Sequence, residues 1–211
     1  MPELDQVIDG IRRCLEEKNA AREVALTLSR DIIRLSANAI RAIHREEWER
    51  ALELMAEGQQ SVLRMTEVLE GHGDIYYAGF VQDSHKEYAE ARLTFALVVG
   101  QEIPGPAELG VDVAPYLNGL AEAVGELRRH LLDYLRSGQV ERCEPLLARM
   151  DDIFTFLTTI DYPDAMTGGL RRSTDIARGI LEKTRGDLTM AIRQSALEAT
   201  LHDFERRMAS G

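Results

Sequence analysis

Apolar residues recur every three or four positions through long stretches of this 211-residue chain, and short interruptions bearing Pro and Gly separate those stretches. That spacing turns one face of a helix toward a core, and nothing alternates with the period of two that a half-buried strand requires. The fold class expected is therefore all-α. Helices are predicted over about residues 4–43, 46–69, 80–100, 113–136 and 140–160, and a sixth long segment follows Gly168-Gly169. Pro104, Gly105 and Pro106 close the third helix, Ser137-Gly138 the fourth, and Asp161-Tyr162-Pro163 breaks the chain after the fifth. Gly186-Asp187 interrupts the last segment, and Asp187 is expected to cap a final helix. Lengths near 20 residues with short connections predict about six to seven long antiparallel helices packed as one domain over residues 1–211.

Composition narrows the function. The net charge of -11 argues against a protein that coats nucleic acid with a generally basic surface, while leaving room for one basic groove or interior face. No stretch approaches the roughly 18 apolar residues of a membrane span, and no apolar run follows a basic N-terminal segment, so a soluble, cytoplasmic protein is expected. Two cysteines, Cys14 and Cys143, are too few for a disulfide framework or a zinc cluster. Gly-rich phosphate loops and nucleophile elbows are absent.

Two arginine rows stand out. Arg30, Arg34, Arg41 and Arg45 fall within about 60° of azimuth on the first helix, opposite Ile33, Leu35, Ala39, Ile40 and Ile43. Arginine suits phosphate because its planar fork donates two parallel hydrogen bonds and keeps its charge. Arg171, Arg178 and Arg185 form a second row, seven residues apart, interleaved with Asp175 and Glu182. Charge rows are usually solvated faces or interhelical ion pairs, and that is the simpler reading of either row taken alone; the first is the better phosphate candidate because no acid interrupts its centre.

Carboxylates supply the other constellation. Glu87 and Glu90, one helical turn apart, sit in the otherwise apolar segment KEYAEARLTFALVVG, with Asp83 one turn earlier. Phe80, Ala91, Thr94 and Val98 share the azimuth of Glu87, so burial is expected, and buried carboxylates need a metal or an arginine to offset their charge. Glu122 and Glu126 form a second pair on a face with His130 and Asp133, opposite the stripe of Leu117, Leu120, Val124, Leu127 and Leu131, and that face is expected to meet solvent. Should the two helices be neighbours, four carboxylates converge. Such an all-oxygen set suits Mg²⁺ or Mn²⁺, whereas a di-iron bundle would require Glu-x-x-His pairs that do not occur here.

The segments SRDIIRLSANAIRAIHREEWERA, KEYAEA, GLAEAVGEL and YPDAMTGGLRRSTDIARGILEKTRGDLTMAIRQ, taken in that order, resemble the translin family over most of the chain. The resemblance implies a translin-like bundle of about seven helices that assembles into a closed shell, typically octameric, around RNA. Within the family, translin proper binds single-stranded RNA or DNA, and translin-associated factor X is a Mg²⁺-dependent endoribonuclease. Glu87 and Glu90 match the E-x-x-E of the catalytic branch and Glu126 matches a Glu of its second acidic element; Glu122 stands where that branch carries Asp. The resemblance thus implies a homo-octameric, cytoplasmic endoribonuclease for single-stranded RNA, with Glu87, Glu90, Glu122 and Glu126 as catalytic metal ligands. Arg30, Arg34, Arg41, Arg45, Arg171, Arg178 and Arg185 are the expected nucleic-acid contacts. The alternative is a shell that binds single-stranded RNA or DNA without cutting it.

Overall fold

A computed structural model describes the backbone of residues 2–209 and the side chains from residue 4 to residue 209; residues 1, 210 and 211, the ends of the expected domain, lie outside the described residues. The chain forms α1 (Pro2–His44), α2 (Trp48–Val68), α3 (Gly73–Tyr76), α4 (Gly79–Val99), α5 (Pro106–Leu109), α6 (Val113–Arg136), a 3-10 turn over Val140–Arg142, α7 (Cys143–Thr158), α8 (Asp164–Thr167) and α9 (Leu170–Ala209). No strand occurs among the described residues, and the all-α expectation holds. Long helices fall where the periodicity placed them, with one difference. The last helix runs unbroken through Gly186-Asp187 because Leu181, Thr184 and Leu188 are buried on either side, and that packing outweighs the helix cost of one Gly. Asp187 caps nothing; its carboxylate accepts a hydrogen bond from Arg128 of α6 at 2.7 Å.

Helix α4 is the hub. It packs on α1, α2, α6 and α7, and residues on almost every side of it are buried, including Ser84, His85, Tyr88, Leu93, Thr94 and Leu97. A helix apolar around most of its circumference belongs in the middle of a bundle. Gly100, at φ +82°, closes it in the left-handed conformation that glycine adopts without strain. Tight packing of α4 on α6 depends on Gly119. A Cβ there would lie 2.8 Å from the Lys86 carbonyl oxygen and 2.9 Å from the Glu90 amide nitrogen, closer than side-chain carbons approach backbone. The missing side chain lets the two backbones meet, and it sets Glu87 and Glu90 beside Glu122.

Helices α1 and α2 form a hairpin around residues 45–47. Glu46 takes φ +57° at the turn, and Glu47 N–H bonds back to the Ala42 carbonyl at 2.9 Å. Ile32, Leu35, Ala39, Ile40 and Ile43 face the core, but Ile33 does not: it is 38% exposed, at the border of the arginine face. At roughly 1.5 Å rise per residue, α1 and α9 are each about 60 Å long, and their outer ends extend beyond the packed core. No described helix is long and apolar enough to cross a membrane.

Candidate metal centre and nucleic-acid interface

Glu87 and Glu90 of α4 and Glu122 of α6 each present a carboxylate oxygen within 4.8 Å of the others. These are three of the four acids expected to converge. Glu90 is 8% exposed, and no hydrogen bond or ion pair from its carboxylate occurs among the described residues. Burial, then the charges of Glu122, Glu87 and Glu126, push its pKa up to about 8, with Lys86 opposing. Around Glu90, therefore, the site carries more negative charge than its own cations balance.

The compensating cation is Lys86, where an arginine or a metal was expected. Its ammonium lies 2.7 Å from Glu122 and 3.3 Å from Glu87. Burial alone would lower the Lys86 pKa, but the hydrogen bond to Glu122 and the charges of both acids raise it. Asp83 is exposed and stands outside the triad, on the wall of an adjoining groove that Lys86 and Glu122 also line.

Glu126 is held differently. His44, the last residue of α1, places Nε2 2.5 Å from Glu126 Oε2, and Arg129 lies 3.9 Å from the same oxygen. The face of α6 expected to meet solvent is in fact covered: Glu122 and Glu126 are half-buried and His130 is buried. The cause is that α6 packs on both sides, against α4 and against α9, which an apolar stripe on one face cannot reveal. Ile176 and Ile180 of α9 join Glu90 and Glu122 around a cavity of about 250 Å³. His130 bonds to the Tyr134 hydroxyl at 2.9 Å and stacks at 5.8 Å from His44, a structural role rather than that of a ligand in the triad. His44 and Lys86 were the residues missed in the sequence. Lys86 had a signal, because it precedes Glu87 and lies four residues before Glu90.

Arg30, Arg34, Arg41 and Arg45 are all exposed. One acid does reach this row: Asp31 pairs with Arg34 at 2.9 Å, while Arg41 donates to Asn38 at 2.6 Å. In the second row, Arg178 pairs with Glu182 at 3.0 Å and Arg185 with Asp151 at 2.8 Å, and Arg171 is exposed. The second row is thus largely engaged in surface ion pairs, and the first keeps more of its charge open to a ligand.

The donor set fits a hard divalent cation. Three carboxylates from two helices supply oxygen ligands only, and a buried Glu90 starved of positive charge is the electrostatic counterpart of such an ion.

No family model matches the chain. The uncharacterized protein MJ0175 of Methanocaldococcus jannaschii is 32% identical over 206 residues, spanning 95% of this chain and 88% of that protein. Among solved structures, AfC3PO in complex with duplex RNA superposes with a TM-score of 0.81 at 31% identity, over 89% of this chain and 97% of that one. AfC3PO alone gives 0.80 at 31% identity over the same shares. NeC3PO without ligand, at 23% identity and a TM-score of 0.75 over 90% of this chain and 98% of its own, shares the fold. With the all-helical bundle and 31% identity to AfC3PO over nearly the whole of that protein, the chain belongs to the C3PO/translin family.

Proposed function

We propose that the protein is a metal-dependent endoribonuclease of the catalytic translin branch, cleaving single-stranded RNA within a cytoplasmic homo-oligomeric shell built from a single-domain subunit. The observation that carries the reading is the convergence of Glu87, Glu90 and Glu122, with Glu90 buried and short of compensating charge. Glu87, Glu90 and Glu122 would hold Mg²⁺, or Mn²⁺, and Glu126 would complete the set from the next turn of α6. A bound divalent ion supplies Lewis acidity toward a phosphate oxygen and toward the attacking water. The protein's own part is to fix the acids on two rigid helices, keep Glu90 buried beside the α4–α6 contact, and grip flanking phosphates with Arg30, Arg34, Arg41 and Arg45. Arg171 would join them directly, and Arg178 and Arg185 only after exchanging Glu182 and Asp151 for phosphate.

RNA as the ligand class draws support from the 31% identical AfC3PO, solved with duplex RNA. Self-association draws support from two apolar seams with the four-three spacing of helix pairing. Leu4, Ile8, Ile11 and Leu15 on α1 are 37–59% exposed, and Leu197, Leu201, Phe204 and Met208 on α9 are 53–70% exposed. An octamer would bury such seams.

One observation favours the rival reading, a shell that binds single-stranded RNA or DNA without cutting it: Lys86 already pairs with both Glu87 and Glu122. The deciding experiment incubates the purified protein with end-labelled single-stranded RNA, with Mg²⁺ or with excess EDTA, beside a Glu87→Ala/Glu90→Ala variant. Metal-dependent fragments that vanish in the variant support the nuclease. Full-length, protein-bound RNA in every lane rejects it and leaves the sequestering shell; the same assay on duplex RNA and on single-stranded DNA defines the substrate.

A further inference from the structure

We propose that the groove beside the carboxylates is a nucleobase subsite, in which one base of the RNA stacks on the ring of Tyr77. The inference rests on the RNA-cleaving reading and adds to it which part of the nucleotide lies next to the acids, and on what.

The groove has a volume of about 800 Å³, ample for one nucleotide, and it runs between the start of α4, the start of α6 and α8. Lys86 and Glu122 belong both to its wall and to the acidic cluster, so whatever fills it adjoins the scissile phosphate. Its remaining charge is wrong for phosphate. Asp83 and Asp112 line it with Glu122, and the cation among its lining residues, Lys86, is already shared between two glutamates. A polyanionic backbone is repelled from such a wall, whereas a neutral base is not.

The rim has what a base requires. Tyr77, Val113 and Met166 are 70%, 60% and 64% exposed, and all three line this one groove. Singly exposed apolar side chains are ordinary; three around a single cleft mark a binding surface. Tyr77 is also anchored. Its ring packs at right angles to that of Tyr76, with centroids 5.1 Å apart and planes at 88°, and Tyr76 in turn meets the fully buried His85 at 5.8 Å. An aromatic ring held against its neighbour and mostly open to solvent is a preformed stacking platform, and stacking tolerates any base because every base has a π face.

The test uses single-stranded oligoribonucleotides in which one 2-aminopurine is moved along the chain, in EDTA to prevent cleavage, with fluorescence and anisotropy as readouts. The wild type should quench 2-aminopurine strongly at one register. Tyr77→Ala should lose that quench and weaken oligo(A) binding about tenfold, more than oligo(U) binding, while Tyr77→Phe retains both. Met166→Ala should weaken binding at the same register. Because Tyr77 is exposed, its truncation should leave the thermal transition in place, which circular dichroism checks. Wild-type binding that Tyr77→Ala leaves unchanged in affinity and quenching profile overturns the subsite while the RNA-binding reading stands. A Tyr77→Ala protein that instead changes its sedimentation assigns the rim to a subunit contact and likewise overturns it. Failure of the wild type to bind any RNA removes both readings together.

Discussion

His44 Nε2 lies 2.5 Å from Glu126 Oε2, joining the end of α1 to the acidic face of α6. The His44 side chain is 4% exposed and its Nδ1 is buried without a hydrogen-bond partner among the described residues, so the ring's polar contact is with this acid. A carboxylate held through one oxygen has the direction of its other oxygen fixed, and partners of this kind orient metal ligands. His44→Ala is therefore expected to raise the Mg²⁺ concentration for half-maximal cleavage by roughly 10–100-fold, with RNA affinity in EDTA unchanged. His44→Gln, which keeps a side-chain N–H donor, should recover part of the loss. An unaltered Mg²⁺ dependence in His44→Ala would detach this histidine from the site.

Gly119 tests whether helix spacing makes the cluster. A methyl group at this position meets backbone atoms of α4 at 2.8 and 2.9 Å, and backbone cannot rotate out of the way as a flexible side chain can. Gly119→Ala must push α4 and α6 apart, and overpacking of that sort costs about 1–3 kcal/mol. A melting temperature lower by several degrees is expected, with Mg²⁺ binding by calorimetry weakened along with it, since Glu87 and Glu90 would retreat from Glu122. A Gly119→Ala protein as stable as the wild type and equally able to bind Mg²⁺ would show that the close contact is dispensable.

Glu90 gives the metal-free protein a pH signature. Its pKa is raised to about 8 in the folded state against about 4.5 unfolded, chiefly by burial. The folded state therefore binds the extra proton between those values. Below pH 4.5 both states are protonated and nothing is lost; as pH rises from 4.5 toward 8, this group progressively destabilises the fold, by an amount on the order of a few kcal/mol. Glu90→Gln should remove that slope, so that in EDTA the variant is more stable than wild type at pH 8 and nearly equal at pH 4.5 by denaturant titration. The same variant should fail to cleave RNA, and Mg²⁺ binding by the wild type near pH 7 should release protons in an unbuffered titration. Parallel stability curves for the two proteins from pH 4.5 to 8 would contradict the assignment.

Much of this was legible in the sequence because the period of an amphipathic helix is local. Leu117, Leu120, Val124, Leu127 and Leu131 announce α6, and all five are buried. Glu87 and Glu90 can be read as burdened acids from the apolar company they keep. What local period cannot supply is the second partner of a helix. Glu122 and Glu126 lie opposite the apolar stripe of α6 and still lose solvent, because α4 and α9 close over them. The Gly119 contact that brings α4 so near leaves no trace in hydropathy. His44 is 82 residues from Glu126, so only the fold pairs them. Asp187 misled for the converse reason: Gly-Asp is a common helix start, but three buried residues around it hold α9 continuous.

Arg34 and Arg41 carry the remaining expectation. Arg34 is exposed and pairs with Asp31 at 2.9 Å, an interaction of the surface kind worth about 0–1 kcal/mol, so a phosphate can displace the acid at little cost. Arg41 contacts only a neutral amide, Asn38, among the described residues. Each arginine that neutralises one phosphate of a single strand releases counterions and contributes about 0.7 to the slope of log affinity against log salt. Arg34→Gln/Arg41→Gln should therefore flatten that slope by roughly 1.4 and weaken binding to the same extent for oligo(A) and oligo(U), because phosphate contacts carry no base information. Anisotropy titrations across a range of KCl concentrations measure both quantities. An unchanged slope would return the row to the role of a solvated helix face, and a sequence-dependent loss would mean that these arginines reach the bases.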